Sequence, residues 1–489
     1  MYSLGIDVGS SSVKVSLLDI ETGKCVASAS NPSTEAPIKA VRKGWAEQSP
    51  DSWWQYVCDG VRQLSAKADL NLVASIGLSY QMHGLVCVDE SGVPVRDAII
   101  WCDSRAVEIG EEALDGIGYG ICRERLLNSP GNFTASKLAW VKRNEPEVFA
   151  RIWKIMLPGD YIAYKLTGKV QTTGTGLSEG IMWDFPKDEF SPLALEWYGI
   201  STELIPEIVP AIGFQAETAG SSLSDSGLKE GIPVSYRAGD QPNNAFSLNV
   251  LNPGEIAATA GTSGVVYGVT DKPQADEKFR VNTFLHVTDN PQARRLGVLL
   301  CINGTGILNA WAHRNFCPDL SYARMDELAG QAPAGCDGLV ILPFGNGAER
   351  VLENRTVGAG MAGIDLVRHD RNHILRAVQE GIAYSFRYGV DIMKNMGLKP
   401  DVIRAGKANM FLSPVFRQTL STICNARIEL FDTDGSLGAA RGAALGAGNY
   451  CNPSEAFASL NMIGSTEPEP GDRSALEAAY GTWLEALGC

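Results

Sequence analysis

The first pattern in the chain is an alternation of apolar and polar positions on both sides of a small-residue turn. In GIDVGSSSVKV, residues 5–15, this pattern flanks Gly9-Ser10-Ser11-Ser12 and predicts two strands joined by a tight turn. The arrangement returns near the middle of the chain in IAATAGTSGVVYGV, residues 256–269, around Gly261-Thr262-Ser263-Gly264. A similar hairpin at the start of each half predicts two domains of related design.

Apolar residues at helical spacing fill the intervals between strand-like runs. Three stretches are predicted as helices, at residues 49–68, 372–396 and 435–448. The first begins with Ser49-Pro50, a capping residue followed by a first-turn Pro. The third is rich in Ala and Gly, which suits close packing against another element. Because strand-like and helical stretches alternate, the predicted fold class is α/β.

Length, charge and cysteine usage narrow the class of protein. A chain of 489 residues is too long for one core, and 45% hydrophobic with 20% charged residues is typical of a globular protein. The net charge of −14, without a basic stripe, argues against a nucleic-acid partner. No apolar run reaches the roughly 18 residues of a membrane span, and a strand beside Met1 leaves no room for a signal peptide. The 11 cysteines contain no C-x-x-C pair, so a cytoplasmic protein with free thiols is expected.

The two small-residue turns are the first candidates for chemistry. The chain has neither the P-loop pattern nor a G-x-G-x-x-G that opens a helix. Two turns with N–H and hydroxyl donors could still clamp a triphosphate between them across a cleft. Asp7, at the edge of the first turn, would then hold Mg²⁺ directly or through water. The alternative is that both turns are ordinary hairpins.

RAGDQPNNAF, residues 237–246, is a second concentration of polar groups. Asp240 follows an apolar run and is expected at the end of a strand, with Gln241 beside it. A carboxylate in that place could accept the proton of a substrate hydroxyl during phosphoryl transfer. A turn built from Asp, Pro and Asn is the alternative.

Two further stretches could line a polar ligand site. In QMHG, Met82 and His83 lie between two strand-like runs and could offer an apolar wall and a hydrogen-bond donor to a polyol, although a lone His is more often structural. In WCDSR, Trp101 and Asp103 combine a ring with a charged group, as sugar sites often do. An internal salt bridge between Asp103 and Arg105 is the competing interpretation.

These motifs together resemble the FGGY family of carbohydrate kinases, and the resemblance runs nearly end to end. The matching stretches are GIDVGSSSVKV, GWAEQSPDSWW, QMHG, WCDSR, NFTASKLAWVKRNEPE, MLPGDYIAYKLTG, AGDQ, AGTSG, LPFGNGAER and LGAARGAALGAG, in the family's order and spacing. The resemblance implies an actin-like ATPase fold, in which two ribonuclease-H-like α/β domains flank a central cleft. We expect residues 1–245 to bind mainly sugar and residues 246–489 mainly nucleotide. QMHG and WCDSR most resemble the xylulokinase branch.

The resemblance also implies roles for single residues. Asp240 matches the general base, and Asp7 and Asp240 match positions near Mg²⁺. Sugar contacts are implied for Met82, His83, Trp101, Asp103, Asp240 and Gln241. Nucleotide contacts are implied for Gly9, Ser10, Ser11, Ser12, Gly261, Thr262, Ser263, Gly264, Gly406 and Asn409. The expected reaction is the ATP- and Mg²⁺-dependent phosphorylation of the terminal hydroxyl of a ketopentose, D-xylulose to D-xylulose 5-phosphate, in the cytoplasm and by a homodimer.

Two departures from the family pattern keep alternatives open. RAGKANMFLSPVFRQ, residues 404–418, replaces a glycine-rich adenosine loop, and only Gly406 fits the glycine run well. Gln241 stands where many xylulokinases carry Asn. The chain could therefore be a kinase for ribulose, gluconate, glycerol or a tetritol, or a sugar-binding regulator that has lost catalysis.

Overall fold

The computed structural model of the protein describes residues 1–488, which form two large β-sheets with helices around them. The first sheet has six strands in the spatial order β5-β6-β4-β1-β2-β3. Its strands, numbered along the chain, are β1 (Tyr2–Val8), β2 (Val13–Asp19), β3 (Cys25–Asn31), β4 (Val73–Tyr80), β5 (Ile212–Glu217) and β6 (Pro233–Gly239).

The second sheet has seven strands in the order β9-β10-β8-β7-β11-β12-β13. They are β7 (Ile256–Ala260), β8 (Gly264–Thr270), β9 (Asn282–Leu285), β10 (Leu296–Ile302), β11 (Val402–Gly406), β12 (Arg427–Phe431) and β13 (Met462–Thr466).

Five strands have the same arrangement in both sheets. In the first, β2 lies between β3 and β1 and is antiparallel to both, and β4 and β6 continue parallel to β1. In the second, β10, β8 and β7 take the antiparallel places, and β11 and β12 the parallel ones. The turns at residues 9–12 and 261–264 join equivalent strands. The repeated hairpin predicted from the sequence is therefore part of a repeated sheet.

The long helices surround these sheets, and five short strand pairs complete the fold. The helices used below are α1 (Pro50–Ser65), α2 (Thr134–Asn144), α3 (Asp240–Ser247), α4 (Gly306–Phe316), α5 (Arg371–Asn395), α6 (Pro414–Cys424), α7 (Gly435–Gly446) and α8 (Pro470–Leu487). The other α-helices lie at Val107–Ile117, Tyr119–Ile121, Pro146–Phe149, Pro158–Thr167, Gly174–Glu179, Leu193–Trp197, Tyr322–Ala329 and Pro453–Ala456. The short pairs join Glu47–Gln48 to Ala98–Ile99, Val86–Val88 to Lys154–Met156, Gln171–Thr173 to Glu207–Val209, Trp183–Asp184 to Glu189–Phe190, and Val340–Phe344 to Gly358–Ala362.

All three helices predicted from apolar spacing are present, with ends that differ by a few residues. Ser49 is the N-cap of α1, with Pro50 as its first residue. The side chain of Asp370 caps α5 by accepting from the backbone N–H of Asn372 at 2.9 Å. Apolar side chains of α1 and of the first sheet share one core, and α5, α6 and α8 share another with the second sheet.

The small-residue helix α7 lies against the first sheet, although it belongs to the second half of the chain. A Cβ on Gly5 of β1 would lie 1.8 Å from the carbonyl oxygen of Ser436, and one on Gly77 of β4 would lie 2.1 Å from that of Ala439. Such distances leave room only for hydrogen atoms. The Ala and Gly content of α7 therefore permits the close contact that its composition predicts.

Within residues 1–488, none of the helices combines the length and the apolar character that crossing a membrane would require.

We expect Gly77→Ala to lower the thermal unfolding temperature, because the new methyl group must displace the backbone of α7, at a cost of about 1–3 kcal/mol. Gly481→Ala in α8 is the matched control, since its Cβ would meet nothing within 4 Å. There the gain in helix propensity should stabilise by up to about 1 kcal/mol. An unfolding temperature of Gly77→Ala at or above that of wild type would contradict the close approach of α7.

Candidate functional site

Asp7 and Asp240 meet where three parallel strands end. β6, β4 and β1 are neighbours in that order, so their carboxyl ends lie along one edge of the first sheet. Asp7 is the penultimate residue of β1, and Asp240 begins α3 directly after β6. Burial raises the pKa of Asp240 to about 7, and the nearby Asp7 carboxylate contributes to this increase. The structure thus brings together two acids that are more than 200 residues apart in the chain.

The start of α7 completes the surroundings of Asp7. A Cβ on Gly435 would lie 2.2 Å from an Asp7 carboxylate oxygen, so only Gly leaves room for this side chain. Asp434, the N-cap of α7, forms an ion pair with Lys14 at 2.6 Å. Burial raises the pKa of Asp7 to about 6, and Asp434 adds to this, whereas Ser79 and Lys14 oppose it.

The segment after β4 holds Met82 and His83 beside Asp240. A Cβ on Gly239, the residue before Asp240, would lie 2.5 Å from Met82 Cγ and 2.7 Å from Glu179 Oε2. His83 has a left-handed backbone, with φ of 61°, which is uncommon for a residue other than Gly and occurs often at functional sites. The structure therefore places Met82, His83 and Asp240 in one cluster, together with Glu179.

Hydrogen bonds fix both the position and the tautomer of His83. Lys137 of α2, fully buried, donates from Nζ to the carbonyl oxygens of His83 at 2.7 Å and Ile100 at 3.1 Å. The Nδ1–H of His83 donates to the carbonyl oxygen of Glu179 at 3.0 Å. Burial lowers the pKa of His83 to about 3, and the positive charges of Lys137 and Arg350 lower it further. His83 is neutral and its Nδ1–H is used by Glu179, so its free Nε2 is a hydrogen-bond acceptor and not the donor predicted from the sequence.

Trp101 and Asp103 have different surroundings. Trp101 is 42% exposed and donates from Nε1 to Ser10 Oγ at 3.3 Å. Asp103 is fully buried and accepts from the Arg105 side chain and from the backbone N–H of Ala46, at 2.9 and 2.6 Å. The internal salt bridge considered from the sequence is therefore present, and a direct contact of Asp103 with sugar stays a prediction.

The turn at residues 9–12 is tied to the predicted sugar side. The Gly9 N–H donates to the Ser12 carbonyl oxygen at 3.0 Å and closes the turn, which also includes Ser11. Gln48 donates to the Ser10 carbonyl oxygen at 2.7 Å and accepts from the Gln81 side chain at 3.2 Å. Hydrogen bonds thus run from the turn to the residue that precedes Met82.

The turn at residues 261–264 borders a pocket of about 550 Å³. Gly261, Thr262 and Asn409 line it, together with Ile307 of α4. The backbone N–H groups of Gly306 and Ile307 donate to the carbonyl oxygens of Gly261 and Thr262, at 2.8 and 3.2 Å, which ties the turn to the start of α4.

Three other predicted nucleotide residues lie outside the lining of this pocket. Ser263 is half-buried, and Gly264 packs on Phe386, since a Cβ there would lie 2.6 Å from the ring. Gly406 ends β11 beside Thr433. Their contact with nucleotide stays a prediction.

Three polar side chains near this cluster have an unpaired oxygen, and the sequence pointed to Gln241 and to the QMHG stretch that contains Gln81 but not to Glu179. Gln81, Glu179 and Gln241 each have a buried side-chain oxygen that receives no hydrogen bond from the described residues. Buried polar atoms of this kind are usually satisfied, so they indicate a place for a polar ligand or water. Lys137 lies within the NFTASKLAW stretch that carried the resemblance, whereas no sequence signal pointed to Glu179.

The residues present fit a nucleoside triphosphate with a divalent cation. Asp7 and Asp240 supply oxygen ligands, which hard cations prefer, and their raised pKa values show that nothing in the protein neutralises them fully. The missing Cβ of Gly435 keeps the Asp7 carboxylate accessible, and the pocket beside Gly261 offers space for a ligand.

Family models and curated relatives match most of the chain. The N-terminal domain model of the FGGY family of carbohydrate kinases matches residues 2–247, and the C-terminal domain model matches residues 256–448. The chain is 30% identical to the xylulose kinase of Escherichia coli K12 over 471 residues, 94% of this chain and 92% of that protein. It is 30% identical to the xylulose kinase of Lactococcus lactis over 499 residues, 99% and 96% of the two chains.

Solved structures show the same fold. A protein described as a xyloylose kinase from Brucella ovis superposes with a TM-score of 0.89 at 25% identity and covers all of both chains. A gluconate kinase from Lactobacillus acidophilus gives a TM-score of 0.90 at 24% identity, covering 100% of this chain and 97% of its own, and shows the fold alone.

These matches confirm the two-domain α/β fold and the carbohydrate kinase class expected from the sequence. FGGY sugar kinases use ATP with Mg²⁺, which confirms both expected cofactors. The two domain models of this family together match residues 2–247 and 256–448, which is most of the chain. The chain therefore belongs to the FGGY family of carbohydrate kinases.

Proposed function

We propose that this sugar kinase phosphorylates the terminal hydroxyl of D-xylulose to give D-xylulose 5-phosphate. The observation that carries the proposal is the buried meeting of Asp7 and Asp240 beside Met82 and His83. The proposal assigns the base, the cation site and the sugar pocket to this one cluster. Xylulose kinases 30% identical over nearly the whole chain support the choice of sugar.

Asp240 is the proposed general base. Its carboxylate accepts the proton of the terminal hydroxyl as that oxygen attacks the γ-phosphate. A pKa near 7 makes Asp240 a stronger base than an ordinary carboxylate while leaving it largely ionised just above neutrality. Gln241, the next residue in α3, is proposed to contact the sugar, and its buried amide oxygen without a hydrogen-bond partner supports this role.

Asp7 and Asp240 are the proposed cation ligands, and the two turns bind the phosphates. Mg²⁺ bound there would neutralise charge on the phosphates. The donors of Gly9–Ser12 and Gly261–Gly264 orient the triphosphate from the two sheets. Gly406 and Asn409 are proposed to contact the nucleoside, for which the position of Asn409 beside Gly261 gives support.

The sugar is proposed to bind mainly to residues 1–245 and the nucleotide mainly to residues 246–489. His83 accepts a hydrogen bond from a sugar hydroxyl through Nε2, Met82 supplies an apolar contact, and Trp101 forms an exposed wall next to Ser10. Asp103 is proposed to position Trp101, because its hydrogen bonds to Arg105 and Ala46 hold the segment that carries this ring. Closure of the cleft would exclude water from the reacting phosphate.

A kinase for ribulose, gluconate, glycerol or a tetritol is the second candidate. Gln241 and the unusual segment 404–418 favour it. A regulator without catalysis would not need the acid pair, and calorimetric binding of sugar without any binding of MgATP would support that role. A cytoplasmic location and a homodimer remain predictions, the first supported by the free cysteines of the described residues.

A panel of sugars in a coupled assay of ADP release tests the choice of substrate. We expect D-xylulose to give a kcat/KM at least tenfold above those of D-ribulose, gluconate, glycerol and erythritol, because the pocket must place one hydroxyl against Asp240. A higher kcat/KM for any other member of the panel would replace D-xylulose as the substrate.

Asp240→Asn should lower kcat by about a hundredfold or more, because the amide has nearly the same size but cannot accept the proton. Asp319→Asn, at an exposed position on the second half, is the matched control and should leave kcat unchanged. Near-normal turnover of Asp240→Asn would remove Asp240 from the role of base.

The pH profile of kcat/KM, measured at low MgATP, should follow the ionisation of Asp240 in the free enzyme. Because the pKa is raised to about 7, the carboxylate is mostly protonated at pH 6 and cannot act as base. Activity should therefore rise about tenfold per pH unit below pH 7 and level off above it. A flat profile between pH 5.5 and 8 would contradict this assignment.

A further inference from the structure

Arg350 reaches from the second half of the chain to the predicted sugar side of the first. It begins the short 3-10 helix Arg350–Leu352. Its guanidinium carbon lies over the Phe133 ring, 5.2 Å from the ring centre. Phe133 in turn packs edge-on against His83, with ring centres 4.8 Å apart. The guanidinium is also close enough to lower the pKa of His83.

The guanidinium of Arg350 has no hydrogen bond or ion pair with any of residues 1–488. The adjacent acid, Glu349, is fully buried and does not pair with Arg350. Its carboxylate instead accepts hydrogen bonds from the backbone N–H groups of Asn303 and Gly304, at 2.9 and 3.1 Å. Cys301 lies near Arg350, but burial raises the pKa of this thiol to about 12, so it carries no charge at neutral pH. Arg350 therefore lacks a counter-ion.

An unpaired guanidinium at such depth is unusual. Arg350 keeps partial exposure, yet desolvation lowers the pKa of its side chain. Buried cations are normally paired, because the loss of hydration is costly. Partial exposure combined with desolvation is typical of a group on the wall of a cleft, where a ligand can accept its hydrogen bonds.

The surroundings of Arg350 are rigidly placed. Glu349 ties this segment to Gly304, at the beginning of α4, and α4 is bonded to the turn at Gly261. On the opposite side, Lys137 and Glu179 hold His83. Arg350 thus connects the phosphate-binding side of one domain to the sugar-binding side of the other.

The chemistry of a ketopentose fits donors in this place. A 2-ketopentose closes its furanose ring through the C5 oxygen, so only the open-chain form has a free terminal hydroxyl to phosphorylate. That form has a free carbonyl at C2, which can only accept hydrogen bonds, and a guanidinium can only donate them. The neighbouring His83 Nε2 accepts and so suits a hydroxyl next to that carbonyl.

We propose that Arg350 binds the sugar by donating hydrogen bonds to the carbonyl oxygen of an open-chain ketopentose that lies against His83 and Phe133. The inference rests on the proposed function and adds to it the residue with which the second domain contacts the sugar. Sugar binding then depends on both domains, and ketoses are preferred over the corresponding alditols.

The test compares Arg350→Met, which keeps the apolar stem, with Arg350→Lys, which keeps the charge. Arg42→Met is the matched control, since Arg42 also lies over a ring, Trp45 at 4.9 Å, but at an exposed place. The measurements are kcat and KM for D-xylulose and for MgATP, thermal unfolding, and calorimetric binding of D-xylulose and of xylitol, which lacks the carbonyl.

We expect Arg350→Met to raise KM for D-xylulose about tenfold or more, as for the loss of a charge-assisted hydrogen bond, with KM for MgATP within twofold of wild type. The KM of Arg350→Lys for D-xylulose should lie between those of wild type and Arg350→Met. The ratio of D-xylulose to xylitol affinity should fall towards one in Arg350→Met. Unfolding should occur close to the wild-type temperature, because Met keeps the apolar stem and the half-buried guanidinium has no ion pair to lose. Arg42→Met should match wild type throughout.

An active wild type whose Arg350→Met variant keeps both KM and the ketose preference would overturn this inference alone. A lower unfolding temperature with unchanged KM would assign Arg350 to a structural role and overturn it as well. If wild type phosphorylates no ketopentose, the proposed function fails, and the inference fails with it.

Discussion

The burial of two carboxylates side by side is the constraint on which the rest of this site depends. Asp7 and Asp240 repel each other and lose hydration, and their raised pKa values record that cost. Nothing in the electrostatics of the pair holds it together. The strand order brings the acids to one edge, and Gly435 leaves space for the Asp7 carboxylate. The fold thus maintains an arrangement that a cation and a proton-donating alcohol would relieve.

The groups around this pair are positioned by side chains that are themselves buried and bonded. Lys137 holds the left-handed segment at His83, Gln48 joins the first turn to Gln81, and Glu349 joins α4 to Arg350. Each of these bonds crosses between elements that are distant in the chain. These hydrogen bonds therefore fix the relative positions of the groups around the acid pair.

The sequence predicts the scaffold better than the surroundings of single side chains. Alternation around Gly9–Ser12 and Gly261–Gly264 is a local signal, and both hairpins and all three helices follow from such signals. Asp240 could be placed at a strand end because an apolar run precedes it. Whether Asp103 faces a sugar or Arg105 depends on packing across the chain, and its buried salt bridge could not be separated from a binding role by spacing. Glu179 and the unpaired state of Arg350 leave no periodic trace at all.

Helix α7 has a consequence for the independence of the two halves. It is encoded late in the chain, yet it covers the sheet formed by the earliest strands, with backbone atoms in the space where Gly5 and Gly77 lack side chains. A fragment that stops near residue 245 would expose that face to water. The first half therefore needs α7 from the second half to complete its core, and during synthesis its sheet is fully covered only when the chain is almost finished.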